Sequence, residues 1–151
     1  MTYDIAHAQT APAKAKPAAA PAAAANNVLL ADWTGPYDGV PAWDKVNISQ
    51  FPGALQFGID EQQREVLAIA NNPAPPTFAN TVEALEKTGQ RLDQVLAVYG
   101  VMTGNLATPE YQALQKEWSP KLAAAFDEII LNPKLFQRVK AVYDARETAG
   151  L

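Results

Sequence analysis

Chemistry needs acids, bases, nucleophiles or metal ligands brought together, and this chain has few groups to offer. Three groups of neighbouring carboxylates stand out: Asp60, Glu61 and Glu65 with Arg64 among them, Glu83 and Glu86 three residues apart, and Asp127 beside Glu128. Acids at such spacing hold a metal inside a helical bundle when Glu-x-x-His pairs complete the set. The chain has a single histidine, His7, and no cysteine. A Ser-His-Asp relay, an H-E-x-x-H zinc helix, a thiolate zinc site and thiol catalysis are all excluded on composition. Tyr37, Tyr99, Tyr111 and Tyr143 could serve as acids only beside a group that shifts them, and no such partner is legible. All three carboxylate groups lie off the apolar stripes described below, which makes them solvated helix faces. No catalytic, cofactor-binding or metal site is predicted within the chain.

The elements that would have to position any site are helices. Ser49 is a suitable N-cap for a first helix, with Pro52 in its first turn. Its stripe is Leu55, Ile59, Gln62, Val66 and Ile69, and Asn71-Asn72-Pro73 ends it. Thr77 caps a second helix whose stripe runs Phe78, Val82, Leu85, Gly89, Leu92, Leu96 and Tyr99. Gly89 stands on that apolar face, a place for a neighbouring helix to approach closely. Thr108-Pro109-Glu110 opens a third helix carrying Tyr111, Leu114, Trp118, Leu122, Ala125 and Ile129. Ser119-Pro120 interrupts it, as a kink or as a stop with a new cap; the apolar face runs through in register, which favours the kink. Asn132-Pro133 starts a fourth helix with Leu135, Val139 and Val142 on one side and Phe136 and Tyr143 beside them. That apolar arc is wider than one neighbour covers, so part of it is expected to be exposed. The fold class is all-α, about four amphipathic helices packed as antiparallel neighbours.

Ahead of the helices the character changes twice. Residues 1–27 are dominated by alanine and proline, with Lys14 and Lys16 the only charges between His7 and Asn27. Such a stretch has little to bury and is expected to be a disordered tether. Residues 28–48 carry Trp33, Tyr37 and Trp43 among Gly35, Pro36, Gly39 and Pro41, which forbid a continuous helix. The expectation is an extended arm strapped over the helical body (49–151) by its aromatic rings, in preference to a platform for a sugar or a proline-rich peptide. The predicted structural anchors are Trp33, Tyr37, Trp43, Phe78, Trp118 and Phe136.

Twelve basic against sixteen acidic residues give a net charge of −4, which speaks against nucleic acid as a partner. No apolar run reaches the ~20 residues of a membrane span. Ala6-His7-Ala8 has the small-residue form of a signal-peptide cleavage site, but Met1–Ile5 supplies neither a basic start nor an apolar stretch. Either an export signal was trimmed away or the likeness is coincidence. The expected location is periplasmic or exported on the first reading and cytoplasmic on the second.

Several stretches taken in order carry a resemblance. They are Trp33-Thr34-Gly35-Pro36-Tyr37 and Val40-Pro41-Ala42-Trp43-Asp44-Lys45-Val46; then Ala70-Asn71-Asn72-Pro73-Ala74-Pro75-Pro76-Thr77-Phe78-Ala79-Asn80-Thr81-Val82-Glu83-Ala84-Leu85-Glu86. Thr108-Pro109-Glu110, Ser119-Pro120-Lys121-Leu122-Ala123-Ala124 and Leu131-Asn132-Pro133, with Leu135, Phe136, Arg138 and Val139, complete the set. From Leu30 to about Arg146 the chain resembles the N-terminal helical region of the thimet oligopeptidase family, in its bacterial peptidyl-dipeptidase and oligopeptidase A branch. Trp43 stands where the family usually has phenylalanine, and Asp38 where it often has glycine. The resemblance implies a much longer, mostly helical zinc peptidase with a deep channel for short peptides. It implies a zinc held by an H-E-x-x-H helix and a later glutamate, none of which maps onto this chain. The chain is then expected to be a channel-covering scaffold segment or fragment, inactive alone, whose partner is the remainder of the peptidase. The alternative is a free-standing helical module that binds a protein or peptide.

Overall fold

The computed structural model describes residues 26–36 and 39–150. The predicted tether, residues 1–27, lies almost wholly outside the described residues. The fold is all-α. Four long helices, α1 (Phe51–Ala70), α3 (Gln90–Asn105), α4 (Pro109–Ile130) and α5 (Pro133–Asp144), are supplemented by a short α2 (Glu83–Glu86), which continues from a π-helical turn over Phe78–Val82. Among the described residues there is no strand; a lone antiparallel bridge pairs Thr34 with Val40. α1 is the central element, packing against α3, α4 and α5.

The apolar residues sort into two clusters. The larger holds Leu29 and Leu30 of the arm, Phe51, Leu55 and Ile59 of α1, Leu92, Val95 and Val98 of α3, and Tyr111, Leu114 and Trp118 of α4. The smaller gathers Val66, Ile69 and Ala70 at the end of α1 with Leu135 of α5, and Ala84, Leu85, Ile129 and Val139 close around it. A single helix, α1, thus contributes its first half to one core and its last turns to the other.

Two local features differ from the sequence expectation. Ser49 does not cap the first helix: its N-cap position is Gln50, which makes no side-chain cap bond, and the capping residue lies ahead of it at Asn47. Asn47 Oδ1 accepts from the Ser49 N–H at 3.0 Å, and Gln50 Oε1 accepts from the Asn47 N–H at 2.8 Å. This capping box closes a 3-10 turn, Ile48–Gln50, that leads directly into α1.

The predicted second helix is broken. The chain leaves the helix after Glu86, and Gly89 adopts φ 76°, a left-handed conformation that glycine takes without steric cost. The freed Gly89 N–H donates to Glu65 Oε2 at 2.8 Å, and the Gln62 side chain fills the space a Cβ would need. The break resets the helical phase. α3 therefore buries Leu92, Val95, Val98 and Tyr99, while Leu96 is only partly covered and Phe78, at the head of the predicted stripe, is exposed. Gly89 is a helix junction crowded by the α1 side chains Gln62 and Glu65, and a second glycine, Gly58 on α1, brings the helix backbones close by packing against Leu92.

In the described part of the arm, leucines and backbone contacts add to the expected aromatic packing. Leu29 and Leu30 are its buried residues. Its carbonyls are gripped from α3: Arg91 Nη1 donates to Leu30 O at 2.8 Å, and Gln94 Nε2 donates to Ala31 O at 2.6 Å. Trp33 packs against the main core half-buried, and Trp43 is 43% exposed. Tyr37 lies outside the described residues.

α4 runs through Ser119-Pro120 without a stop. Ser119 Oγ donates back to Gln115 O at 2.7 Å, the i−4 back-bond common for serine inside a helix; the carbonyl that Pro120 leaves without an N–H partner is that of Lys116.

Candidate functional site

The acidic groups on α1 and α2 spread over several partners instead of converging. Asp60 Oδ1 accepts from Gln56 Nε2 at 2.8 Å, and Arg64 Nε donates to the Asp60 carbonyl at 3.1 Å. Glu65 is engaged with the Gly89 amide, and Glu83 pairs with Lys87 at 2.6 Å on the exposed face of α2. Glu128 Oε2 accepts from Gln63 Nε2 at 2.5 Å, linking α4 to α1, and Asp127 is exposed. Among the described residues no three His, Cys, Asp or Glu side chains come together in a way that could hold a metal ion.

The Glu61 carboxyl is held above its ordinary pKa. Partial burial is the main cause and repulsion from Glu65 the second, opposed by Arg91 and Arg64. The folded chain therefore binds this proton more tightly than the unfolded chain. The ionised group costs stability above the folded pKa, and the cost fades as pH falls through it toward the unfolded value. Glu61→Gln is expected to raise the urea midpoint at pH 7 and to leave it nearly unchanged at pH 3. A lower midpoint at pH 7 would contradict this account.

None of the described tyrosines, Tyr99, Tyr111 and Tyr143, has a catalytic environment. Tyr99 is buried, its hydroxyl lacks a hydrogen-bond partner, and burial pushes its pKa up, which keeps it protonated. Its ring sits edge-on to Phe51 at 5.7 Å, and Tyr111 meets the same phenylalanine at 6.4 Å. Tyr143 is exposed, with the Arg146 guanidinium 4.1 Å over its ring.

The predicted anchors divide. Trp118 is buried, with its indole Nε1 lacking a partner and Lys121 Nζ 4.4 Å over the ring. Phe78 and Phe136 are exposed, at 46% and 58%. Phe136 and Tyr143 point away from the smaller cluster because α5 docks through Leu135, Arg138 and Val142 instead.

Arg138, which the sequence shows only as part of a motif, has a structural role that spacing alone does not assign. Its side chain is buried in the seam between α5 and the connection leading into the π-helical turn. Nη1 donates to Asn72 O at 2.8 Å and Ala74 O at 3.0 Å; Nη2 donates to Asn80 Oδ1 at 2.9 Å and Thr81 Oγ1 at 3.4 Å. The signal was present: Arg138 follows Leu135 by three residues and precedes Val142 by four, which places it on the buried stripe.

One open groove of about 290 Å³ lies where the end of α4 passes α2 and the start of α3. Phe126, Ile129, Ile130 and Leu85 supply apolar walls, and Gln62, Thr88, Glu86 and Asp93 supply polar ones. Its only ionisable lining residues are the two acids. Such a groove can receive an apolar side chain, but it contains no nucleophile with a base beside it. Among the described residues the donor set does not fit a resident zinc: they include no histidine and no cysteine, and their carboxylates are dispersed. No helix among the described residues is long and apolar enough to cross a membrane.

Fold and surface together define a set of packed amphipathic helices, with no catalytic constellation assembled among the described residues. No protein-family model matches the chain. Over 125 residues it is 38% identical to the dipeptidyl carboxypeptidases of Salmonella typhimurium and Escherichia coli. The match takes in 83% of this chain and 18% of each relative, so the chain spans less than a fifth of the length of the curated relatives it matches. The chain is thus related in sequence to part of a peptidase.

Proposed function

We propose that the chain is the N-terminal helical scaffold segment of a zinc-dependent peptidyl-dipeptidase, covering the channel that admits short peptides. The observation that carries this reading is the 38% identity extending over 83% of the chain. The role assigned is mechanical. α1 ties both cores together, Arg91 and Gln94 fix the arm to α3, and Arg138 fixes the connection that follows α1. Peptide cleavage, and the zinc it uses, belong in this reading to other parts of the parent enzyme.

The groove beside Phe126 and Ile130 favours a second reading, a free-standing module that binds a protein or peptide. The coding sequence downstream separates the two: an in-frame continuation to an H-E-x-x-H helix supports the peptidase segment, and a stop codon supports the module. The purified chain supplied with zinc is expected to leave a quenched fluorescent oligopeptide intact. Chelator-sensitive turnover that follows the pure protein through chromatography would overturn the scaffold assignment.

A further inference from the structure

We propose that α5 and residues 71–86 form one latch that opens as a unit while the main core stays closed, with Arg138 as its bolt. The smaller apolar cluster is separate from the larger one, and its members come from the end of α1, α2, the last turns of α4, and α5. The main core can therefore survive its loss. Within the latch, one guanidinium holds four acceptors that span Asn72 to Thr81, so α5 cannot leave without releasing the whole connection. Thr81, fully buried, is uncovered by the same movement.

The bolt is strong in geometry and weak in net energy. Arg138 is 7% exposed, all four of its acceptors are neutral oxygens, and its Nε is buried without a partner. A buried cation with no carboxylate keeps much of its desolvation cost, which opening returns by exposing the guanidinium to water. Opening of this unit therefore lies below global unfolding, the behaviour of a separate cooperative unit within a domain. The unit ends at breaks in the helical path: left-handed Gly89 follows α2, and Asn132, the N-cap of α5, separates it from α4. Glu65 secures Gly89 from α1, so the start of α3 is not carried along. This inference does not depend on the peptidase reading.

Native-state hydrogen exchange on the 151-residue chain, followed by mass spectrometry of peptides, tests it. Amides within 78–86 and 136–144 are expected to share one opening free energy, lower than that of 92–99 and 111–118. Arg138→Lys keeps the charge and loses the fork. It is expected to speed exchange in both latch segments together by roughly tenfold, the effect of losing one or two charge-assisted hydrogen bonds, with less than about twofold change in α3. Asn80→Ala removes an acceptor on the opposite side of the seam and must speed α5 as well. Independent exchange of the two segments, an Asn80→Ala effect confined to 78–86, or equal acceleration of α3 would overturn the latch.

Discussion

Gly58→Val is expected to destabilise the chain by about 3 kcal/mol, near the upper end of what overpacking a close-packed core costs. A Cβ at this position would lie 2.9 Å from Leu92 Cα, 3.0 Å from its Cβ and 3.1 Å from its Cδ1. The first of these atoms is backbone, which cannot swing aside, so α1 and α3 would have to separate along the principal contact of the fold. Gly58→Ala sharpens the test because two effects oppose each other. Alanine gains about 1 kcal/mol of helix propensity over glycine, while its methyl group meets the same three atoms. The close approach is expected to win and the urea midpoint to fall. A Gly58→Ala variant more stable than the parent would show that the helices do not approach this closely.

Phe51→Ala is expected to cost about 3–5 kcal/mol, the range for deleting a fully buried ring. Phe51 has no exposed surface and meets Tyr99 and Tyr111 edge-on. It sits where the arm, α1, α3 and α4 share one core, so no single neighbour can relax to fill the space. Phe51→Leu keeps much of the volume and loses the two aromatic contacts, worth about 0.5–1.5 kcal/mol each. Against a total stability of about 5–15 kcal/mol for a domain, the alanine variant should show a clearly lowered melting temperature and the leucine variant a smaller drop. Equal, minor effects from both would mean that the arm and helices do not share this core.

Helix existence was legible because it follows from apolar periodicity, as in Leu55, Ile59, Val66 and Ile69, all buried as their spacing requires. The continuous α4 was legible too, since Leu114, Trp118, Leu122 and Ala125 keep register across Pro120. The break at Gly89 was hidden for a physical reason. Steps of three and four persist from Phe78 to Tyr99, so periodicity alone does not register a left-handed residue that rotates everything after it. Gly89 was read as a packing glycine and Gly58 not at all, because a close approach depends on the partner helix and leaves no local pattern. In the arm, contacts other than the aromatics are not legible from the sequence. Leu29 and Leu30 do the burying, and the grip on the carbonyls comes from Arg91 and Gln94, about sixty positions away in sequence. The role of Arg138 is not legible because a cation on an apolar stripe is normally exposed; its acceptors are carbonyls and side chains of a distant connection that sequence spacing does not reveal.

The most direct measurement of the scaffold assignment is a chimera. The 125-residue stretch of the Escherichia coli dipeptidyl carboxypeptidase that matches this chain would be replaced by the corresponding residues of this chain, alongside a variant with that stretch deleted. The account predicts that the chimera folds and releases dipeptides from the C-terminus of a short peptide within about tenfold of the parent rate, a change of roughly 1.4 kcal/mol in barrier height, while the deletion is inactive. A chimera that is monodisperse and melts cooperatively yet shows no more turnover than the deletion would contradict it.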